Sequence, residues 1–136
     1  MKSDLSGTVS LVTGAARGIG RAIADRLAAN GSAVYYSDRD DVDVEPPARS
    51  IRLDVTNSEQ IAGAVRRIEA EAGRLDILVN NAGINTLTHR VTVDRFPREE
   101  WDRILAVDLT GVYEVSRAFV PLLRRPCGRI INIASI

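Results

Sequence analysis

The sequence is almost empty of lysine, cysteine and histidine. Lys2 is the only lysine among 18 basic residues, Cys127 the only cysteine and His89 the only histidine. A lone cysteine excludes an internal disulfide framework, and one cysteine with one histidine excludes the usual Cys/His metal clusters, so no metal site is expected. Chemistry that needs an internal lysine is excluded as well. No apolar run reaches the ~20 residues that span a bilayer, and the start Met1-Lys2-Ser3-Asp4 does not read as a secretory signal. An excess of one charge is also missing. With 18 Lys and Arg against 18 Asp and Glu, neither nucleic acid nor an anionic membrane is implied as a partner. Together these absences point to a cytoplasmic protein.

What remains is 45% hydrophobic over 136 residues, enough for the core of one domain. Short β-rich runs alternate with helical periodicity, which predicts an α/β parallel sheet. The first strand is expected at Val9 to Thr13 and the first helix at Gly18 to Asn30, with Ile19, Ile23 and Leu27 as its apolar face. A second strand covers Ala33 to Ser37. The acidic stretch Asp38 to Arg49 carries Pro46-Pro47 and is too broken for a full crossover helix.

A third strand is expected at Ile51 to Leu53. Thr56-Asn57-Ser58-Glu59 reads as a capping box, opening a helix with Ile61, Val65, Ile68 and Ala72 inward and Gly73 past its end. A fourth strand at Asp76 to Asn80 and a loop from Ala82 to Phe96 follow. One long helix is then expected from Pro97 to Val120, ended by Pro121, with a fifth strand at Arg129 to Ile133. The inward stripe of the long helix is Trp101, Ile104, Leu105, Val112, Val115 and Phe119, and Asp108 falls on it. Five strands with right-handed crossovers predict a doubly wound sheet in the order 3-2-1-4-5, with the ligand site at the carboxyl ends of the strands.

Thr13 to Gly20 carries the chemistry. Between a strand and a helix, Gly14, Gly18 and Gly20 give the pattern G-x-x-x-G-x-G. Gly14 permits a tight turn, Gly18 lets backbone approach a pyrophosphate, and Gly20 allows the helix to pack closely on the sheet. The helix N-terminus then offers N–H groups and positive dipole to the anion. A plain βα turn is the alternative; a P-loop is excluded, because no Lys-Ser/Thr follows. Asp38 lies 24 residues beyond Gly14, where a carboxylate accepts hydrogen bonds from the adenosine ribose and repels a 2′-phosphate. This favours NAD over NADP, although Arg17 and Arg39 are each placed to reach a 2′-phosphate.

The motifs Thr13 to Gly20, Asp54-Val55, Asn80-Asn81-Ala82-Gly83 and Asn132-Ile133-Ala134-Ser135 together resemble the short-chain dehydrogenase/reductase family across essentially the whole chain. The resemblance implies a Rossmann-type NAD(P)-binding domain over residues 1–136. It implies an oxidoreductase acting on a small alcohol or carbonyl substrate, and a homodimer or homotetramer for the complete protein. Asp54 resembles the family's adenine-reading carboxylate, with Val55 as its backbone partner; read bottom-up, Asp54 equally suits the cap of the next turn. Asn81, Ala82 and Gly83 resemble the loop lining the nicotinamide ribose, with Ile19 in the pyrophosphate turn. Ser135 resembles the catalytic serine whose hydroxyl holds the substrate oxygen. Asn85, Thr86 and His89 are candidate substrate contacts in the 82–96 loop.

The sequence departs from the family in three places. The family's Tyr-x-x-x-Lys acid/base pair follows the serine, whereas this sequence stops at Ile136, and none of Tyr35, Tyr36 and Tyr113 has lysine four residues on. A tyrosine titrates near ~10 without cationic help, so the 136-residue chain is expected to be inactive by itself, and the family's later strands and helices are absent from it. Asp108 stands where the family commonly has a catalytic asparagine, and burial there would raise its pKa or demand a partner. The connection from Asp38 to Arg49 is short. A non-catalytic nucleotide-binding module is the competing reading; a Rossmann-type methyltransferase has no reason to carry Asn80-Asn81-Ala82-Gly83 and Asn132 to Ser135.

Overall fold

The fold is a parallel five-stranded sheet in the order β3-β2-β1-β4-β5. It was obtained as a computed structural model, which describes residues 3–86 and 90–135. The strands are β1 Val9–Thr13, β2 Ala33–Asp38, β3 Arg49–Arg52, β4 Ile77–Asn80 and β5 Arg129–Asn132. The helices are α1 Gly18–Ala29, α2 Ser58–Ala72, α3 Arg98–Leu105 and α4 Val112–Arg124. Strand order reverses between β1 and β4, which pair through Ser10↔Ile77 to Val12↔Val79. That reversal opens a crevice at the carboxyl edge of the sheet.

Both sheet faces are covered, so the central strand β1 is buried along its whole length rather than on alternate residues. Leu11, Tyr35 and Leu78 turn to one face and pack on Ile61, Ala64 and Ile68 of α2 and Val115, Phe119 and Leu122 of α4. Val12, Val34, Tyr36 and Val79 turn to the other and meet Ala24, Ile23 and Leu27 of α1. Val42, Val44 and Ala48 join this second cluster. The helix-free segment between β2 and β3 therefore lies over α1 as a strap. The expectation of no crossover helix there agrees with the structure.

Several local expectations are corrected. The cap of α2 is Asn57, not Thr56. Asn57 Oδ1 accepts from the N–H groups of Glu59 (3.1 Å) and Gln60 (3.0 Å), while the Thr56 hydroxyl is turned toward Asp54. Strand β3 begins at Arg49, in register with Tyr35. Pro121 does not end the last helix, which runs on to Arg124. A proline inside a helix costs ~3 kcal/mol or more. Burying Leu122 and Leu123 (1% and 5% exposed) just beyond it returns ~1.5–3 kcal/mol each, and the ring itself faces solvent.

The long helix is also not one regular piece. Between α3 and α4 lies a π-helical turn, Ala106–Gly111. Its wider turn slips the helical phase, so the stripe drawn from Trp101 to Phe119 breaks. Val115 and Phe119 are buried, but Trp101 is 52% exposed and Asp108 faces outward instead of into the core. At Gly111 the helix touches the β3–α2 connection, where an added Cβ would stand 2.7 Å from Val55 Cγ2. Ile19 is likewise not on the packed face of α1; it is 67% exposed and borders the crevice.

Tyr36, 3% exposed, donates its hydroxyl to Asp25 Oδ1 at 3.0 Å. Burial, and then the bond to the Asp25 carboxylate and its charge, push the phenol pKa up to about 12. Folding thus favours the neutral phenol. The stabilisation is complete below the ordinary value of 10.0 and is lost as pH rises to about 12, amounting to on the order of 2 kcal/mol. Urea unfolding midpoints should fall across this window and fall less steeply in Tyr36→Phe; equal slopes for the two proteins would contradict the assignment.

Candidate functional site

At the carboxyl end of β1 the chain turns into α1 through two glycines with left-handed backbone, Gly14 (φ 66°) and Gly18 (φ 59°). An added Cβ on Gly14 would lie 2.9 Å from both Ala82 Cα and Asn81 Nδ2, and one on Gly20 would lie 2.2 Å from Gly14 O and 2.3 Å from Asn81 Nδ2. Gly20 therefore packs on the turn and on Asn81, rather than on the sheet as expected. Gly18 differs: nothing lies within 4 Å of a Cβ placed there, so its front is open to the crevice.

The turn is tied to the β4 loop by reciprocal bonds. Thr13 Oγ1 accepts the backbone N–H groups of Asn81 and Ala82, both at 3.0 Å, and donates to Val79 O at 3.4 Å. Asn81 Nδ2 donates to Thr13 O (3.0 Å) and Gly14 O (3.1 Å). From the β2 side, Ala15 N–H donates to Ser37 O (2.9 Å) and Ala16 N–H to Asp38 Oδ2 (3.1 Å). Asp38 Oδ1 accepts the N–H of Asp40 at 3.2 Å.

The N-terminus of α1 has no side-chain cap and no acidic residue in its first turn. Its leading N–H groups and dipole are therefore available to an anion. They open on a cleft of about 760 Å³, within the range of small-molecule and cofactor sites. Gly14, Arg17, Gly18, Ile19, Gly20, Asp38, Arg39, Asp54, Val55, Asn81, Ala82 and Gly83 all line this cleft. Anion cradle, fixed carboxylate and open glycine front fit a dinucleotide.

Asp54 does cap its turn. Its Oδ1 accepts the hydroxyl (2.7 Å) and the N–H (2.8 Å) of Thr56. These two bonds, hydroxyl first, hold the carboxyl below its ordinary pKa against desolvation, with a smaller contribution from the charge of Arg39. Asp54 both caps this turn and lines the cleft, and the Val55 side chain packs in the core.

A family model described as short chain dehydrogenase matches residues 8–136. The chain belongs to the short-chain dehydrogenase family. It is 38% identical to the 3-oxoacyl-[acyl-carrier-protein] reductase FabG of Vibrio cholerae, over 98% of this chain and 57% of that protein. Identity to the D-beta-hydroxybutyrate dehydrogenase of Cupriavidus necator is 36%, over 96% of this chain and 54% of that one. The ligand-free aldohexose dehydrogenase of Thermoplasma acidophilum superposes with a TM-score of 0.87 at 38% identity, covering 99% of this chain and 52% of its own. The chain thus spans about half the length of the relatives it matches.

The two candidate catalytic residues are not among those lining the cleft. Asp108 Oδ1 accepts the N–H of Ile84 at 2.8 Å, so the carboxylate braces the loop just after Gly83. Ser135 is exposed beyond β5, on the same carboxyl edge, since Ile133 N–H donates to Asn80 O. Among the candidate substrate contacts, Asn85 is exposed and Thr86 half-buried; His89 lies outside the described residues. The cleft is also lined by Ala16, Leu53, Ile84, Asp40, Thr56, Arg103, Ala106 and Val107, which were not among the expected site residues. The last three come from the helix whose phase is set by the π turn, and no residue pattern announced that turn.

Thr13→Val keeps the shape of the side chain but leaves the Asn81 and Ala82 N–H groups without their acceptor. The expected loss is roughly 2–4 kcal/mol, against roughly 1 kcal/mol for Thr13→Ser, which keeps the hydroxyl. Denaturant titration of the two variants gives the comparison, and equal stability would refute the role given to the hydroxyl.

Proposed function

We propose that residues 1–136 form the cofactor-binding domain of an NAD-dependent oxidoreductase that interconverts an alcohol and its ketone or aldehyde. The observation that carries this reading is the Asp38 carboxylate, locked by Ala16 N–H onto the same turn whose helix N-terminus faces the cleft. Gly18 to Gly20 bind the pyrophosphate through backbone N–H groups. Asp38 accepts the adenosine ribose hydroxyls and opposes a 2′-phosphate, so NAD is preferred over NADP although Arg17 and Arg39 share the cleft. Asp54 and Val55 receive the adenine, and Asn81, Ala82 and Gly83 flank the nicotinamide ribose. When bound, the nicotinamide supplies the hydride acceptor or donor. Ser135 donates its hydroxyl to the substrate oxygen. Asp108 holds the Gly83–Ile84 loop and contributes to the proton relay; an asparagine makes the same bond to Ile84 without the charge.

The relatives' names range over 3-oxoacyl, β-hydroxybutyrate and aldohexose chemistry. What they share is a hydroxyl or carbonyl carbon, and the proposal stops at that class of small-molecule substrate. Neither nucleic acid nor membrane is a proposed partner. Among the described residues no helix is long and apolar enough to cross a membrane, and the cytoplasm is the proposed location. A homodimer or homotetramer is proposed through α3, where Trp101, Ile104 and Leu105, with Phe96 just before the helix, line an apolar groove of about 600 Å³.

Tyr35 and Tyr36 favour a second statement: the 136-residue chain binds NAD but does not turn over alcohol. Tyr35 and Tyr36 are buried in β2, bonded to Glu71 and Asp25, and both have raised pKa values, burial being the largest cause. That is the wrong direction for a proton shuttle at neutral pH.

In fluorescence titrations, NADH should bind more tightly than NADPH. Asp38→Ala should weaken NADH at least about tenfold, the loss of charge-assisted hydrogen bonds; an unchanged NADH affinity would remove Asp38 from the ribose site. Alcohol-dependent NADH formation by the isolated 136-residue chain would falsify the second statement.

A further inference from the structure

The strap between β2 and β3 has no helix to hold it, yet two hydrogen bonds fix its first residues. Asp38 Oδ1 accepts the N–H of Asp40 at 3.2 Å. Three residues on, Arg21 Nη1 donates to Asp43 O at 3.0 Å. Arg21 is itself oriented from two directions. Its Nε donates to both carboxylate oxygens of Asp25 (3.1 and 3.3 Å), and its guanidinium lies 5.3 Å from the centre of the Tyr36 ring. Tyr36 closes the circuit by donating to Asp25 Oδ1. Between the two pinned points Val42 is buried against α1, and Asp40 is exposed along the cleft beside Arg39.

The clamp therefore fixes a specific charge arrangement. A flexible strap would let Asp40 swing into solvent and leave Arg39 as the dominant charge next to Asp38. Pinned at residues 40 and 43, the strap keeps Asp40 in the cleft lining, two residues beyond Asp38 and next to Arg39. A carboxylate beside a bound phosphate disfavours it, by an amount that falls with distance and with solvent screening.

We infer that Asp40 is a second determinant of cofactor choice beside Asp38, rejecting a phosphorylated adenosine ribose, and that Arg21 is the positioning residue that keeps it there. The inference rests on the NAD reading of the cleft and deepens it. It assigns the discrimination to a pinned acidic strap as well as to the carboxylate at the end of β2. Arg21 acts through the strap and is not among the residues lining the cleft.

The test is the ratio of NADPH to NADH dissociation constants, measured by fluorescence titration for the unmodified protein, Asp40→Asn and Arg21→Ala, with a melting temperature for each. Both substitutions should lower the ratio at least about fivefold, through tighter NADPH binding in Asp40→Asn and through a released strap in Arg21→Ala. A merely structural Arg21 would lower the melting temperature and weaken both cofactors equally, leaving the ratio unchanged, and that result overturns the positioning role. An unchanged ratio in Asp40→Asn overturns the inference outright; because Asp40 is exposed, this variant reports even if Arg21→Ala does not fold. If the unmodified protein binds neither cofactor, the NAD reading itself fails and the inference falls with it. Binding of NADH with an unmoved ratio removes the inference alone.

Discussion

The hydroxyl of Thr13 and the amide of Asn81 hold the centre of this molecule together. Strand β1 and strand β4 end side by side at the point where the strand order reverses. Left alone, their last backbone groups would have no strand partners there. Thr13 Oγ1 takes two N–H groups of the β4 loop, and Asn81 Nδ2 takes two carbonyls of the glycine turn. Among the described residues, no buried side-chain polar atom lacks a partner. The exchange also dictates the glycines. With Asn81 Nδ2 lying 2.9 Å and 2.3 Å from where Cβ atoms would stand on residues 14 and 20, no side chain fits at either place.

Once that junction is made, the cleft follows. The turn delivers α1 with an uncapped N-terminus toward the open crevice, and Asp38, bonded to Ala16, sets a carboxylate at a fixed distance from it. The opposite wall comes from the far half of the chain. Gly111 lets the π turn close on Val55, which brings Arg103, Ala106 and Val107 to the cleft. Asp108, turned outward by the same π geometry, braces Ile84. A change of helical phase thus links the packing of the long helix to the shape of the site. Such turns recur at functional positions.

The parts of this arrangement that were legible in the sequence are those set by short-range rules. The β1 turn, its three glycines and Asp38 belong to one strand–turn–helix–strand unit, whose signals are local. Even Gly73, in left-handed conformation after α2, could be placed from its neighbours. What escaped was decided at a distance or by competition for one group. Asp54 captured both donors of Thr56, and Asn57 caps α2. Burial of Leu122 and Leu123 carried the helix past Pro121. The π turn shifted Trp101 and Asp108 away from the face that a uniform 3.6-residue period assigns. Gly20 was correctly read as a close approach, but its partner, the side chain of Asn81, is 61 positions away and no periodicity points to it.

The central claim is that one cleft, framed by the Thr13–Asn81 junction, receives a dinucleotide along the uncapped end of α1. Amide hydrogen exchange with and without NADH measures this most directly. The account predicts slowed exchange in three separated segments, 14–20, 38–40 and 81–84, with little change at β5. Binding of NADH that leaves the 14–20 amides exchanging at their free rate, or that protects β5 instead, would contradict it.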